Sequence, residues 1–589
     1  MKKIFKTMLL LAAVTTGTGA LVSCSDDEDL TTADALFRPI INVTDNIETG
    51  LDDSLAPYMI IKWDNYTNAD QYTVKVEATD GSDTKEITTQ ELTCRFDNLQ
   101  YDKEYYVYIS SANTKSGLSS KPFKLTTTTP DYPTYLASPA STDLIDTQAR
   151  IKWSEVNYDN MKVYKDNEDQ LVIDTVLTEA INEQKELILK GLEPQTTYRA
   201  QVYSNGKYLG KKRFTTTAAE KFDGVVIDLR GVSGGDTYIN SDQLAADVAA
   251  NPDQDITYVL EGGTMYKISG GTVIPGTSKT IKFVTGLTLA GNATFRSGGG
   301  MGAVAGADVN AIVYEKIDFI SDKAIEGGDN EVATNHDKGW GGRQVFNINN
   351  YGATIGSITF KNCSMTGYRA VVRSQQDGDN INNILFENCA INAIGDQGVV
   401  TTTNKKGDWR NVTFRNCTIT NIVMLCDFRS SVSTLNLTIE NSTFCYAPIE
   451  TTANANTPMF RLGSGNVVLK VKNTLFGPSM ASGATKQGVF SLDGSGSQVQ
   501  TYTAGAAGSI FLSGTPDNLD VQDCYKTDFA WTDLNTTGEG DPKIYPLEGL
   551  GELGLNESAL WSKPTEGLFN IIGKVSGVDL SKLGDSRWW

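Results

Sequence analysis

The sequence predicts an all-β chain: two small sandwiches of antiparallel strands in front, then a parallel β-helix. Two observations carry this. The first is a run of short alternating strands between turn residues over the first third of the chain. The second is an asparagine motif that recurs at intervals of 25 to 32 residues in a region rich in strands and poor in helix-forming periodicity.

The front strands are Ile60-Ile61-Lys62-Trp63, Tyr72-Thr73-Val74-Lys75-Val76 and Tyr106-Val107-Tyr108-Ile109. The pattern repeats with Ile151-Lys152-Trp153 and Tyr198-Arg199-Ala200-Gln201-Val202-Tyr203. Strands at this spacing build sandwiches, here over 36–129 and 130–218. In each, a leucine stands six residues before a tyrosine, Leu99 before Tyr105 and Leu192 before Tyr198. Each also carries an upstream tryptophan, Trp63 or Trp153, and ends in a threonine run, 126–129 or 215–217. The combination resembles fibronectin type III modules and their tyrosine corner, although the first module lacks the proline that Pro194 supplies in the second. The resemblance implies spacers more than ligand-binding units.

Ahead of the sandwiches, Lys2, Lys3 and Lys6 precede an apolar run from Met8 to Val14, and small residues lead to Leu21-Val22-Ser23-Cys24. The run is too short to span a bilayer and has the form of a secretory signal. Its last four residues resemble the lipobox of bacterial lipoproteins, which implies a signal peptide over 1–23 and lipid on the Cys24 thiol. Two acyl chains anchor stably where one does not. The acidic run Ser25-Asp26-Asp27-Glu28-Asp29 begins a solvated tether over 24–35. It is similar to the export tag of Bacteroidota lipoproteins, which implies exposure on the outer face of the outer membrane.

The net charge of −20 argues against nucleic acid and anionic lipid as partners, so an acidic ligand needs a local basic surface. Beyond Cys24 the cysteines are Cys94, Cys363, Cys389, Cys417, Cys426, Cys445 and Cys524. An odd number without short paired spacings does not read as a disulfide framework or a zinc site. His336 is the single histidine of the chain, which rules out sites built from several histidines and leaves one candidate base for Ser-His-Asp or Cys-His chemistry.

From about residue 219 to 511 the repeat reads Ile358-Thr359-Phe360-Lys361-Asn362-Cys363, Ile384-Leu385-Phe386-Glu387-Asn388-Cys389 and Val412-Thr413-Phe414-Arg415-Asn416-Cys417. Looser copies end at Asn441 and Asn473. The asparagines step by 26, 28, 25 and 32 residues, one coil per repeat. Coils stacked at the strand spacing of about 4.8 Å place these asparagines in a ladder at a bend. That resembles the pectate-lyase-like right-handed β-helices. The aligned cysteines read as reduced packing residues. Residues 512–589 continue or cap the stack, because a terminal repeat must cover an exposed core.

A second strand recurs in each coil: Val345-Phe346-Asn347-Ile348, Val371-Val372-Arg373-Ser374, Val399-Val400-Thr401-Thr402, Asp427-Phe428-Arg429-Ser430, Met459-Phe460-Arg461-Leu462 and Val489-Phe490-Ser491-Leu492. Alternation sends Phe346, Val372, Val400, Phe428, Phe460 and Phe490 inward and lines up Asn347, Arg373, Thr401, Arg429, Arg461 and Ser491 outward. Arginine forks grip carboxylates through paired hydrogen bonds, and Arg373 and Arg429, two coils apart, stand roughly 9 to 10 Å from each other, the scale of two sugar units. The expected ligand is an acidic polysaccharide of the pectin or polygalacturonate kind, held by Arg373, Arg429 and Arg461. Lys405, Lys406, Trp409 and Trp340 on the neighbouring loops are expected to add charge and sugar stacking.

The pectate-lyase resemblance implies a second possibility, β-elimination, with Arg429 as base beside Asp427 and calcium held by Asp377 and Asp379. No compact set of aspartates on consecutive coils accompanies them, and no repeat sets two carboxylates at the separation a glycosidase needs. The expected protein is thus noncatalytic and without cofactor, calcium entering only for a lyase. An adhesin or structural surface protein is the third possibility. The whole arrangement resembles surface lipoproteins of Bacteroidota associated with polysaccharide utilisation, which implies a glycan transporter of the outer membrane as partner.

Overall fold

The computed structural model describes residues 35–231, 239–268, 271–297, 299–322, 342–349, 352–402, 407–428, 434–448, 459–462, 467–479, 511–513, 518–529 and 544–589. Cys24, His336, Trp340, Lys405, Lys406, Arg429 and Ser491 lie outside the described residues. The chain forms two compact units. One comprises Met1–Tyr135, Tyr158–Met161 and Gln201–Lys211, and the other Leu136–Asn157, Lys162–Ala200 and Lys212–Trp589.

The first sandwich sets a three-stranded antiparallel sheet (Ile47–Leu51, Pro57–Lys62, Thr93–Phe96) against a four-stranded one (Thr84–Thr89, Gln71–Ala78, Glu104–Ala112, Phe123–Thr128). Alternate residues of Gln71–Ala78 are buried, as one face of a half-buried strand requires. Trp63 packs on Tyr72 at 5.4 Å between ring centres, inside a core that holds Val74, Leu99, Tyr105 and Val107. The Tyr105 hydroxyl accepts from the backbone N–H of Gln100 at 3.0 Å. The second sandwich repeats this detail. Tyr198 accepts from the N–H of Glu193 at 2.8 Å, beside buried Leu192 and Trp153. In both, a fully buried ring carries its one polar atom to an otherwise free backbone donor, which removes the penalty of burying either alone.

Beyond the second sandwich the chain winds as a parallel β-helix. One wall is a ten-stranded sheet that runs from Val225–Asp228 through Thr354–Lys361, Asn380–Glu387 and Asp408–Arg415 to Asn518–Gln522, every pair parallel. Register holds each inward residue over its equivalent. Tyr258, Phe283, Tyr314, Phe360, Phe386 and Phe414 form one continuous ring stack, with centres 5.0, 5.5, 5.1, 5.0 and 4.7 Å apart. The spacing is that of the strands themselves, so one aromatic per coil stacks on the next through the core.

The asparagines end each of these strands in the left-handed region, where short amides are tolerated and branched side chains are not. Asn362, Asn388, Asn416, Asn441 and Asn473 have φ of 53°, 54°, 54°, 47° and 49°. Asn388 donates to the Oδ1 of Asn362 at 3.1 Å and Asn416 to that of Asn388 at 2.6 Å, the expected ladder over three coils. Cys363, Cys389 and Cys417 follow, all fully buried free thiols, with burial raising their pKa at Cys363 and Cys417.

Two features depart from a plain stack of strands. A helix over Ser241–Ala250, capped by Asn240, sets Leu244 into the core beside Ile256 and Tyr258 and so covers apolar surface of the first coils. At the other end the strands Phe511–Ser513, Asn518–Gln522 and Tyr525–Lys526 extend the walls. The final residues then run back along the flank. Gly584 donates to the carbonyl of Asn473, Asp585 to Thr443 and Ser586 to Asn416, while Arg587 reaches the carbonyl of Cys389 at 3.0 Å. Trp561, Phe569 and Trp588 form a second apolar core with Met424, Tyr446 and Leu475 beneath this strap.

Candidate functional site

The arginine strand lies in the other main sheet, where Ser364–Ser374 pairs with Gly342–Ile348 before it and Val400–Thr401 after it. Phe346, Val372 and Val400 are in register and fully buried, so the reading of which side faces the core holds. The outward column starts as expected with Asn347, Arg373 and Thr401. It then departs, because Thr401 pairs with Asp427, Asp427 with Arg461, and Arg461 with Ser513. The place assigned to Arg429 therefore belongs to Asp427, and that of Ser491 to Ser513. Cys426 takes the inward position expected of Phe428. A slip of two residues preserves the alternation of faces, and Phe428 remains buried, so alternation alone cannot detect the slip.

The corrected column is a different surface from a comb of three arginines. Thr401 and Asp427 are buried, and Arg461 spends its charge on Asp427, 3.5 Å away. On the arginine strand itself Arg369 is clamped by both oxygens of Asp396 at 2.9 Å each. Arg373 is left. It is half-buried, makes no hydrogen bond or ion pair with the described residues, and its Nε is buried without a partner. Burial first, and the nearby Arg369 second, lower its pKa, with Asp396 opposing them. A guanidinium keeps its charge under such pressure, so Arg373 is a desolvated cation awaiting an acceptor.

Around it lie amides. Asn347 donates to Gln375 at 3.1 Å, Gln376 to Asn349 at 3.2 Å, and Gln344 to Gln397 at 2.6 Å. The Oδ1 of Asn347 and the Oε1 of Gln376 are buried acceptors with no partner. Neutral donors and acceptors on successive coils thus stand beside one cation.

The other expected site residues fall elsewhere. Trp409 is fully buried; its indole N–H donates to Ser374 at 2.7 Å and its ring meets the edge of Phe428. It sits within the strand Asp408–Arg415, over Ile381, and cannot stack on a sugar. The following Arg410 is exposed and bound to Asp408. Asp377 is exposed whereas Asp379 is buried, so the turn between them points their carboxylates into different environments and does not make the shared calcium site. Asp379 accepts from the N–H of Gln376 at 3.3 Å. Its pKa is raised to about 6 by burial, partly opposed by the backbone N–H groups of Ala353, Gln376 and Gly352. Among the described residues no group of three carboxylate, thiol or imidazole side chains is placed to hold a metal ion.

No protein-family model matches the sequence. No curated protein matches it either. Among solved structures, a two-domain fibronectin type III segment of chicken tenascin is similar at 13% identity and TM-score 0.15, covering 30% of this chain and all of that one. The FN1-FN3 domains of chicken CNTN1 are similar at 13% identity and TM-score 0.13, over 29% of this chain and 64% of that one. The front of this chain is fibronectin type III-like. That statement rests on the strand pairing and the two tyrosine corners, since likenesses this slight carry no argument of their own.

Proposed function

We propose that this chain is a noncatalytic cell-surface lipoprotein whose β-helix captures an acidic polysaccharide. The observation that carries the reading is Arg373, a half-buried guanidinium without a carboxylate partner among the described residues, beside the amides of Asn347, Gln375 and Gln376. The other arginines of this sheet whose side chains are described have their charge matched: Arg296 by Asp322, Arg369 by Asp396 and Arg461 by Asp427. An unpaired, partly desolvated cation destabilises the free protein and is relieved by a bound carboxylate, which is how a very acidic chain still holds an anion.

The lipid on Cys24, the position on the outer membrane and a glycan transporter as partner belong to the same proposal; they rest in turn on the signal motif, on the acidic run after it and on the resemblance of the whole arrangement to surface lipoproteins. No helix among the described residues is long and apolar enough to cross a membrane. A lyase is not favoured by any contact: Asp427 faces Arg461, and Asp379 is buried away from Asp377.

Affinity electrophoresis of the purified mature chain through gels that contain acidic or neutral glycans tests the reading. Retardation in at least one acidic glycan, reduced in Arg373→Gln, is expected; equal mobility in every gel would sink it. For the anchor, a bacterium that processes lipoproteins and is fed labelled palmitate should lipidate the wild type and leave Cys24→Ala unlabelled.

A further inference from the structure

We infer that the site around Arg373 selects a glycan whose carboxylates are isolated among neutral sugars, in preference to a continuous polyuronate. This rests on the glycan-binding reading and narrows its ligand.

The order of charges on the surface sets this preference. Along the stacking axis the column runs Asn347, Arg373, Thr401, Asp427, Arg461. The next arginine after Arg373 is three coils away, about 14 Å at the strand spacing. It is already joined to Asp427, which lies between them. A polymer that seats one carboxylate on Arg373 and runs toward Arg461 brings its next carboxylates over Thr401 and then over a neutralised pair. In the other direction it meets Asn347, Gln375, Gln376 and Asn349, all neutral.

Across the axis the result is the same. Four residues back on the strand, Arg369 is closed by the two hydrogen bonds it donates to Asp396. A homopolymer of uronates would therefore carry several carboxylates out of water with, among the described residues, a single unpaired guanidinium to meet them. Each extra anion loses hydration without a partner and is repelled by a chain of net charge −20. A glycan with one uronate among neutral sugars meets the surface as it stands: carboxylate on Arg373, hydroxyls on the neighbouring amides of Asn347, Gln375 and Gln376.

The test uses the full mature chain with three polymers: glucuronoxylan, in which a uronate hangs at intervals from a neutral backbone, unsubstituted xylan, and polygalacturonate. Affinity is measured by calorimetry over a range of salt concentrations, with melting curves as a control on folding. Glucuronoxylan is expected to bind best, with a log–log salt slope of about one, as for a single ionic contact. Arg373→Gln should lose about tenfold or more, and Arg373→Lys should keep the salt slope while losing part of the affinity.

Tighter binding of polygalacturonate with a slope of about three or more would overturn this inference and leave the acidic-glycan reading standing. Equal binding of xylan and glucuronoxylan, or no binding of either acidic polymer, would overturn both. Preference for glucuronoxylan that survives Arg373→Gln unchanged would remove Arg373 from the site.

Discussion

At the scale of single residues, burial reassigns several side chains that look functional in the sequence. Asp379 is the clearest. Its pKa is 3.8 when exposed and about 6 in the folded chain, so the folded state holds the proton more tightly. The cost of burying its charge is absent below the unfolded value, grows between pH 3.8 and about 6, and is fully present above. Stability therefore falls as pH rises through that window. Asp379→Asn keeps an oxygen for the Gln376 N–H and removes the charge. It should stabilise the chain by about 2 to 3 kcal/mol more at about pH 7.5 than at about pH 4, read by urea unfolding; a variant less stable than wild type at both would contradict the assignment.

Trp409 makes the same point for an aromatic. As a core residue, Trp409→Ala should cost about 3 to 5 kcal/mol of stability, and Trp409→Phe, which keeps most of the packing, should bind glycan as the wild type does. Beside Lys405, Lys406 and a turn, the sequence places this tryptophan on a loop. Only the register of Asp408–Arg415 over Asn380–Glu387 shows that it faces inward over Ile381.

At the scale of elements, the β-helix is held by columns. The asparagine ladder was legible from the repeat, because a fixed residue at coil spacing has to stack. The column on the opposite face of the same strands was not singled out. Glu315, Lys361, Glu387, Arg415, Glu440 and Lys472 follow one another in register with alternating sign, and Lys361–Glu387, Arg415–Glu387 and Arg415–Glu440 lie within 3.7, 3.5 and 3.1 Å. The signal is in the motif itself, one position before each asparagine, but it emerges only when coils are compared pairwise for charge. Exposed pairs of this kind contribute little each, and their alternation opposes slipped registers, since a shift by one coil would stack like charges.

Asn388 is the central rung of the asparagine ladder and sits at φ 54°. Asn388→Ala should cost about 2 to 4 kcal/mol, combining left-handed strain with two lost amide bonds, while Asn388→Gly relieves the strain and costs less. Unfolding of the three proteins in urea would check the order; alanine as stable as glycine would contradict it. The cap helix over Ser241–Ala250 and the strap over 584–589 were not anticipated in form. The helix covers the first coils and the strap comes from the chain's last residues, both outside the repeat that made the middle legible.

At the scale of the molecule, the class of fold and the sequence of its parts follow from periodicity: period two in front, one coil per asparagine behind. What periodicity leaves open is register, and register is what makes the site. A slip of two residues puts Asp427 where Arg429 was expected, and among the described residues the column then holds one unpaired arginine, Arg373, and a closed pair, Asp427–Arg461. Connections between successive strands set that slip. The step from Asn416 to Cys426 is two residues shorter than the step from Asn388 to Val400, and only hydrogen-bonded pairing reveals it.

The central claim is that Arg373, and not Arg461, is the cation offered to a ligand. Calorimetry of Arg373→Gln and Arg461→Gln with the same acidic glycan tests it most directly. Arg373→Gln is expected to lose about tenfold or more in affinity while melting as the wild type does. Arg461→Gln leaves the buried Asp427 short of a partner, lowers stability by about 1 to 3 kcal/mol and binds as before. Glycan affinity lost in Arg461→Gln and retained in Arg373→Gln would contradict it.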